Sequence, residues 1–221
     1  MNQFKNNLRF LVKQEKENGN KDPRFIRLAE HWINNFINSF ANPSIDELWD
    51  IADRFGISVD DLIKKDLSAK SKISKKEIKL LIIDVDSALT DGSIYYNENG
   101  ESWRKLSSLD QNAVTELAAK KVEVALTCNK ESAAFFKAIA KAWNIDKLSS
   151  ASSQSNTAKK WMDEMKIKTK NVAYIGTDEG LHKQFDASAS PANFSTVSAE
   201  IQLNKAGGSG CVWEFFEEYL V

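Results

Sequence analysis

The chain has 221 residues, enough for one domain with a sizeable core and a small appendage, or for two modest domains. Its 30 basic and 31 acidic residues give a formal net charge of -1, so no global field would recruit nucleic acid or an anionic membrane. Its two cysteines lie far apart and predict neither a disulfide framework nor a zinc site. Because the first twenty residues lack a signal-peptide pattern and no apolar run reaches membrane length, we expect a cytoplasmic protein with no membrane partner.

Residues 1–66 have apolar residues at helical spacing and no strand pattern, which predicts a domain of four or five short helices. Two helix N-termini are indicated by Ser44 and Ser58, each followed three positions later by an acidic residue. Gly56 is expected to end the helix between them. The polar, lysine-rich residues 67–76 are predicted to form a linker.

Residues 77–221 alternate short apolar runs with amphipathic segments, which is typical of an α/β fold with a parallel sheet. The apolar runs predict strands that end at Asp84, Thr127 and Gly176. Because ligands in such sheets bind at the carboxyl ends of the strands, the three following loops should share one crevice. A β-hairpin that turns at the Asn-Gly pair of NENG is expected after the first strand.

Several motifs follow one another in this region. They are DVDSALTDG (84–92) with the hairpin after it, TCN (127–129), VAYIG followed by TDE (172–179), SPAN (190–193) and KAGGSG (205–210). In this order they resemble the haloacid dehalogenase superfamily, specifically its 3-deoxy-octulosonate-8-phosphate phosphatase branch. The resemblance implies a Rossmann-like parallel sheet with a hairpin insertion, magnesium-dependent hydrolysis of sugar acid phosphates, and a homo-oligomer that is typically a tetramer. The small all-α domain would precede this fold.

Carried onto this chain, the resemblance implies that Asp84, Asp86 and Thr127 are the catalytic residues. Asp84 would be the nucleophile that forms an aspartyl phosphate, and Asp86 would protonate the leaving oxygen and then activate water. Thr127 would donate a hydrogen bond to the transferring phosphoryl group. Asn129 and Lys159 are the candidate substrate-binding residues.

The resemblance also implies a magnesium site, for which Asp84, Asp86 and Asp178 are the candidate ligands. The chain departs from the family pattern in and around this site: an acidic ligand is replaced by Thr177, a lysine by Thr157, an aspartate by Leu181, an arginine by Trp213, and two glycines by Ser87 and Gln111. Magnesium prefers several charged oxygen ligands, and losing one donor from a transition-state site costs on the order of 10²- to 10³-fold in rate. We therefore predict weak or absent magnesium binding.

These departures favour a catalytically impaired phosphatase-fold protein that acts as a homo-oligomeric scaffold or a regulatory, partner-binding protein. The alternative is an active magnesium-dependent sugar acid phosphate phosphatase. If the chain is an enzyme, it is a hydrolase of the haloacid dehalogenase type.

A second alternative is a DNA-binding regulator. Residues 41–67 resemble the second half of a lambda-repressor-like helix-turn-helix domain. However, residues 22–43 are rich in Phe, Ile and Trp where groove-reading polar side chains are expected, and residues 1–70 carry equal numbers of acidic and basic residues. A nucleic-acid partner is therefore disfavoured, and contact with a protein partner through the N-terminal helices is favoured.

Overall fold

A computed structural model describes residues 2–39, 41–64, 66–68, 73, 77–194 and 197–220. The chain divides into two compact units, Met1–Ser71 and Lys72–Val221. Most of the predicted linker lies outside the described residues. Within these ranges, no helix combines the length and the hydropathy that crossing a bilayer requires.

The first unit is helical, as predicted. Its helices are α1 (Asn2–Glu17), α2 (Pro23–Trp32) with a π-helical extension (Ile33–Ile37), α3 (Ile45–Phe55) and α4 (Val59–Lys64). Both predicted helix starts are present.

At the first of these starts, Ser44 Oγ accepts from Glu47 N at 3.3 Å, and Glu47 Oε2 accepts from Ser44 N at 2.7 Å. This reciprocal capping box begins α3. At the second start, Asp61 N donates to Ser58 Oγ at 3.0 Å. Gly56, with φ of 63°, ends α3 in the left-handed region that favours glycine.

The second unit has eight strands and five α-helices within the described residues. The strands are β1 (Leu80–Asp84), β2 (Tyr95–Tyr96), β3 (Ser102–Trp103), β4 (Glu123–Thr127), β5 (Lys147–Ser149), β6 (Val172–Ile175), β7 (Ala187–Ser190) and β8 (Ile201–Gln202). The helices are α5 (Ser108–Ala119), α6 (Ala133–Ala142), α7 (Gln154–Met165), α8 (Glu179–Gln184) and α9 (Cys211–Phe215).

Six of the strands form one parallel sheet in the order β5-β4-β1-β6-β7-β8, whereas β2 and β3 form a separate antiparallel hairpin. All five residues of β1 are buried, because helices cover both faces of a parallel sheet. The predicted α/β fold with a hairpin insertion is confirmed. The carboxyl ends of β1, β4 and β6 meet at one edge of this sheet, as the three predicted strand ends require.

Candidate active site

Two candidate catalytic residues are neighbours at this edge of the sheet. Asp84 at the end of β1 is the register partner of Thr127 at the end of β4, and both are buried. The Thr127 hydroxyl has no hydrogen-bond partner among the residues that the structure describes. Because leaving a buried hydroxyl unpaired costs free energy, a hydrogen bond from Thr127 to a ligand oxygen at this end of the sheet would be favourable.

Burial also controls the charge of Asp84. It raises the pKa of the carboxyl group to about 6, and repulsion from Asp86 and Asp178 adds to this increase. A hydrogen bond from Ser87 Oγ to Asp84 Oδ2 opposes the shift. Asp84 is therefore a buried carboxylate whose negative charge a nearby cation would stabilise.

The carboxylate of Asp86 is held by several donors. Oδ1 accepts from Arg104 Nη1 and from Ser132 Oγ, each at 2.7 Å, while Oδ2 accepts from the backbone N of Asn129 at 2.8 Å. Arg104 Nη2 donates to Ser132 Oγ at 2.8 Å, and the guanidinium carbon lies 5.6 Å from the centre of the Phe136 ring. Asn129 thus reaches the site through its main chain, and its side chain is exposed.

The loop after β6 approaches Asp84 closely. A Cβ atom at Gly176 would lie 2.5 Å from the Cβ of Asp84, so only glycine fits. Tyr174, whose pKa burial raises above its usual range, accepts a hydrogen bond at its hydroxyl from Asp178 N at 2.9 Å. His182 Nε2 lies 3.0 Å from the carbonyl oxygen of Gly176. These contacts brace the loop that carries Asp178.

The carboxylates near Asp84 determine whether magnesium can bind at this edge of the sheet. Within the described ranges, no group of three or more His, Cys, Asp or Glu side chains is arranged to hold a metal ion. Asp84 and Asp178 nevertheless lie close enough to interact electrostatically. Magnesium in proteins is commonly held by one or two carboxylates together with water and substrate phosphate oxygens. Asp84 and Asp178 fit such an open site, whereas the Asp86 carboxylate is already engaged by Arg104 and Ser132.

Lys159 lies on α7, where its side chain is exposed. On the same helix, Thr157 Oγ1 lies 3.3 Å from Ser149 Oγ at the end of β5, beside Thr127. Side chains two positions apart on a helix point in directions about 200° apart. Lys159 therefore projects away from the strand end that Thr157 contacts. The structure therefore brings together Asp84, Asp86, Thr127, Asn129 and Asp178, and it leaves Lys159 apart from them.

Sequence reasoning missed Arg104 and Ser132. They lie 18 and 46 residues from Asp86 in the chain, and they meet it through the fold of the hairpin and the start of α6. A basic residue directly after the predicted hairpin was the available signal for Arg104.

Ser87 and Gln111 stand where the family pattern has glycine, but neither position requires the conformational freedom of glycine. Neither residue has a positive φ. Ser87 instead contributes the hydroxyl that donates to Asp84. The substitution therefore adds a hydrogen bond at the site without placing a side chain in the left-handed region.

Comparison with known sequences gives partial matches. No protein-family model matches the chain. The chain is 29% identical over 154 residues to an N-acylneuraminate cytidylyltransferase A from Danio rerio, covering 65% of this chain and 35% of that protein. It is 29% identical over 107 residues to a 3-deoxy-D-manno-octulosonate 8-phosphate phosphatase from Escherichia coli K12, covering 48% and 57%. The chain thus spans about a third of the first relative and just over half of the second.

Solved structures match over a larger share of the chain. A probable YrbI family phosphatase from Pseudomonas syringae is 28% identical with a TM-score of 0.62, covering 69% of this chain and 89% of that one. A putative 3-deoxy-D-manno-octulosonate 8-phosphate phosphatase from Vibrio cholerae is 23% identical with a TM-score of 0.63, covering 70% and 89%. The chain has a haloacid dehalogenase fold. Its resemblance to the 3-deoxy-octulosonate-8-phosphate phosphatase branch of that superfamily is confirmed.

Solved structures with the haloacid dehalogenase fold include a complex with magnesium, phosphate and a sugar acid. The 3-deoxy-D-manno-octulosonate 8-phosphate phosphatase from Moraxella catarrhalis, in complex with magnesium, phosphate and KDO, is 22% identical with a TM-score of 0.60, covering 69% of this chain and 92% of that one. At this identity the likeness shows the fold alone, and the ligands are properties of that protein. The phosphatase relatives support the phosphatase alternative better than the predicted inactive scaffold.

Proposed function

We propose that the chain is a phosphomonoesterase that hydrolyses a sugar acid phosphate through an aspartyl phosphate at Asp84. The proposal rests on the register pair of Asp84 and Thr127, in which a buried carboxylate adjoins a buried hydroxyl that has no partner among the described residues. A nucleophile and a donor at the ends of adjacent parallel strands suit a phosphoryl group bound between the following loops. The sugar acid phosphate named for the phosphatase relatives supports the class of substrate.

In the first half-reaction, a carboxylate oxygen of Asp84 attacks phosphorus and the bond from phosphorus to the ester oxygen breaks. Asp86 gives a proton to that leaving oxygen, so the sugar acid departs as an alcohol. In the second half-reaction, Asp86 takes a proton from a water molecule that attacks phosphorus. Inorganic phosphate leaves, and Asp84 is regenerated as a carboxylate.

Neighbouring groups prepare Asp84 and the phosphoryl group for these steps. The hydrogen bond from Ser87 Oγ to Asp84 Oδ2 fixes the orientation of the carboxylate that attacks phosphorus. The Thr127 hydroxyl donates to a phosphoryl oxygen, and this contact satisfies its own unpaired donor. When bound by Asp84 and Asp178, magnesium would supply the positive charge that neutralises the phosphoryl oxygens.

The competing proposal is a catalytically impaired scaffold or regulatory protein with the same fold. It is supported by Thr177, which provides a hydroxyl where the family has an acidic ligand, and by the exposed position of Lys159. Both features reduce the charge available to hold magnesium and phosphate. The DNA-binding alternative for residues 1–66 stays a prediction.

Phosphate release from a panel of sugar acid phosphates, measured with excess magnesium, separates these proposals. The matched control is Asp84→Asn, which keeps the size of the side chain and removes the nucleophile. Release by the parent that the variant lacks supports the phosphatase. Equal release by both proteins indicates a contaminating enzyme and contradicts it, and no release by the parent favours the scaffold.

We also propose that the protein assembles as a homo-oligomer through its hairpin, with a tetramer as the assembly that the resemblance implies. The exposed large apolar side chains described in the second unit gather on this hairpin and next to it: Ile94, Tyr95, Tyr96, Trp103 and Leu109. Tyr95 and Trp103 stack with ring centres 6.1 Å apart. Clustered apolar surface of this kind is typical of protein–protein contacts.

Contact between the first unit and a protein partner is supported by α3. Ile45 and Trp49 lie one helical turn apart on this helix and are 74% and 63% exposed. Two large apolar side chains on one helix face form a surface that a protein partner could bury.

A further inference from the structure

We infer that Arg104 is a positioning residue for Asp86, and that together with Ser132 it holds the carboxylate so that Oδ2 carries out the proton transfer. The inference rests on the proposed function, because it assigns an atom to the acid and base steps of that reaction. Arg104 itself need not touch the substrate in this account.

The hydrogen bonds to Asp86 Oδ1 leave this oxygen no free lone pair to accept a further proton. This oxygen accepts from Arg104 Nη1 and Ser132 Oγ, both at 2.7 Å. A carboxylate oxygen has two lone pairs, so two short hydrogen bonds use its full acceptor capacity. Oδ1 is therefore an anchoring atom.

The other oxygen of Asp86, Oδ2, accepts fewer hydrogen bonds than Oδ1 does. Among the described residues, the backbone N of Asn129 is the one donor that Oδ2 has, at 2.8 Å. One lone pair of Oδ2 therefore remains for the proton that passes to the leaving oxygen or comes from water. This division of roles between the two oxygens exists only while Arg104 and Ser132 occupy Oδ1.

Arg104 is itself fixed in place. The side chains of Arg104 and Asp86 are 12% and 16% exposed, so this ion pair is shielded from solvent and is stronger than a surface pair. The second guanidinium nitrogen donates to Ser132, and the Phe136 ring lies beneath the guanidinium group. Arg104 directly follows β3, so the hairpin supports it from the main-chain side.

Kinetics with two kinds of leaving group test the assignment. The variants are Arg104→Gln and Arg104→Lys, and the matched control is Lys105→Gln, which removes a charge from the adjacent exposed residue. An alkyl phosphate needs a proton on its leaving oxygen, whereas p-nitrophenyl phosphate has a leaving group that departs without one. A misplaced catalytic group costs up to about 10²-fold in rate.

We expect Arg104→Gln to lower kcat/KM for the alkyl phosphate by about 10- to 100-fold and to leave kcat/KM for p-nitrophenyl phosphate, which reports the first half-reaction alone, within about twofold of the parent. Because Asp86 also activates the water that attacks the shared aspartyl phosphate, kcat should fall on both substrates. Arg104→Lys should restore part of the lost rate, and Lys105→Gln should behave as the parent. An equal loss of kcat/KM on both substrates would indicate a general structural role. A raised KM with unchanged kcat would indicate that Arg104 binds substrate. Either result overturns the inference.

A spectroscopic measurement keeps this inference separable from the proposed function. The amide resonance of Asn129 reports its hydrogen bond to Asp86 Oδ2, so Arg104→Gln should shift it and Lys105→Gln should not. If the parent shows no Asp84-dependent hydrolysis, the proposed function fails and this resonance alone decides whether Arg104 positions Asp86. An Asn129 resonance that stays at the parent position in Arg104→Gln overturns the inference.

Discussion

Asp84 and Thr127 are register partners at the last paired position of β1 and β4. One is a buried carboxylate and the other a buried hydroxyl without a partner in the described part of the chain. Strand pairing alone sets these two groups side by side, so the geometry of the proposed nucleophile and phosphoryl donor depends on a strand that is buried along its whole length.

Thr127→Val should separate stability from activity. Valine keeps the shape of threonine and removes the orphan hydroxyl, so the free energy of unfolding should stay the same or rise by about 1 kcal/mol. Phosphate release should fall by about 10²-fold, as for loss of one donor to a developing charge. Denaturant unfolding and phosphatase kinetics measure the two effects, with Thr115→Val, at an exposed position of α5, as the control. Full activity in Thr127→Val would contradict the assigned role.

Asp84→Asn should stabilise the fold at neutral pH. The pKa of Asp84 is raised from 3.8 to about 6, so the folded state binds this proton more tightly than the unfolded chain does. The free energy of unfolding of the parent therefore falls as pH rises from about 4 to about 6, and it stays lower above that window. Asparagine removes this contribution.

The predicted gain in Asp84→Asn is near zero at pH 4 and about 1–3 kcal/mol at pH 7. The pKa of Asp110 is also raised to about 6 by burial, but its contribution is present in both proteins and cancels in their difference. Denaturant unfolding at several pH values measures the difference. A variant that is less stable than the parent at pH 7 would show that the charge of Asp84 is compensated in the fold.

The phosphatase activity should rise with pH through about 6 at limiting magnesium, because Asp84 must be ionised to attack phosphorus. Saturating magnesium should move this rising limb to lower pH, since a nearby cation favours the carboxylate. Profiles of kcat/KM against pH at low and high magnesium measure the shift. A limb that does not move with magnesium would argue against a cation beside Asp84.

Substitutions can remove or add negative charge at the proposed magnesium site. Asp178→Asn keeps an acceptor for the N–H of Leu181, which Asp178 caps at 2.8 Å, but removes a charged ligand. The magnesium concentration for half-maximal activity should rise by at least about 10-fold. Thr177→Asp should lower it, because the variant restores an acidic group. Glu179→Gln, at an exposed side chain, is the charge control.

If magnesium dependence is the same in Asp178→Asn as in the parent, Asp178 is not a ligand. If Thr177→Asp has no effect, the threonine is not what limits magnesium binding.

The hairpin should control assembly. Tyr96 is 66% exposed on β2, and Tyr96→Glu adds a charge to the apolar surface without removing a core contact. We expect this variant to elute as a smaller species than the parent, because a charge without a partner is costly in an apolar interface. Light scattering coupled to size exclusion measures the mass, with Trp49→Glu in the first unit as the control. A parent that is monomeric at micromolar concentration would contradict the proposed oligomer.

Sequence patterns predicted the three strands that build the site and missed β5, β7 and β8, which lie on either side of them in the sheet. The strands β1, β4 and β6 contain continuous apolar runs because both faces of the central sheet are covered. In contrast, β5 reads KLS and β7 reads ASAS, which give no apolar signal over so few residues. Their pairing depends on the neighbouring strand more than on local propensity.

The network around Asp86 could not be derived from local sequence. Arg104 and Ser132 reach this carboxylate only after the hairpin and α6 have packed against the strand ends. Lys159 shows the reverse case, since its residue type suits phosphate binding but its position on α7 leaves the side chain exposed. Residue types at strand ends were predictable, and side-chain direction on the surrounding elements was not.

The most direct test is to look for the phosphoryl group on Asp84 itself. A single turnover with a sugar acid phosphate and magnesium is quenched in acid, and the phosphorylated peptide is identified by mass spectrometry, with Asp84→Asn as the control. We expect one phosphoryl group on the peptide that contains Asp84, at the position of Asp84, in the parent only. Phosphate release without any phosphorylated Asp84, or no turnover of any sugar acid phosphate, would contradict it.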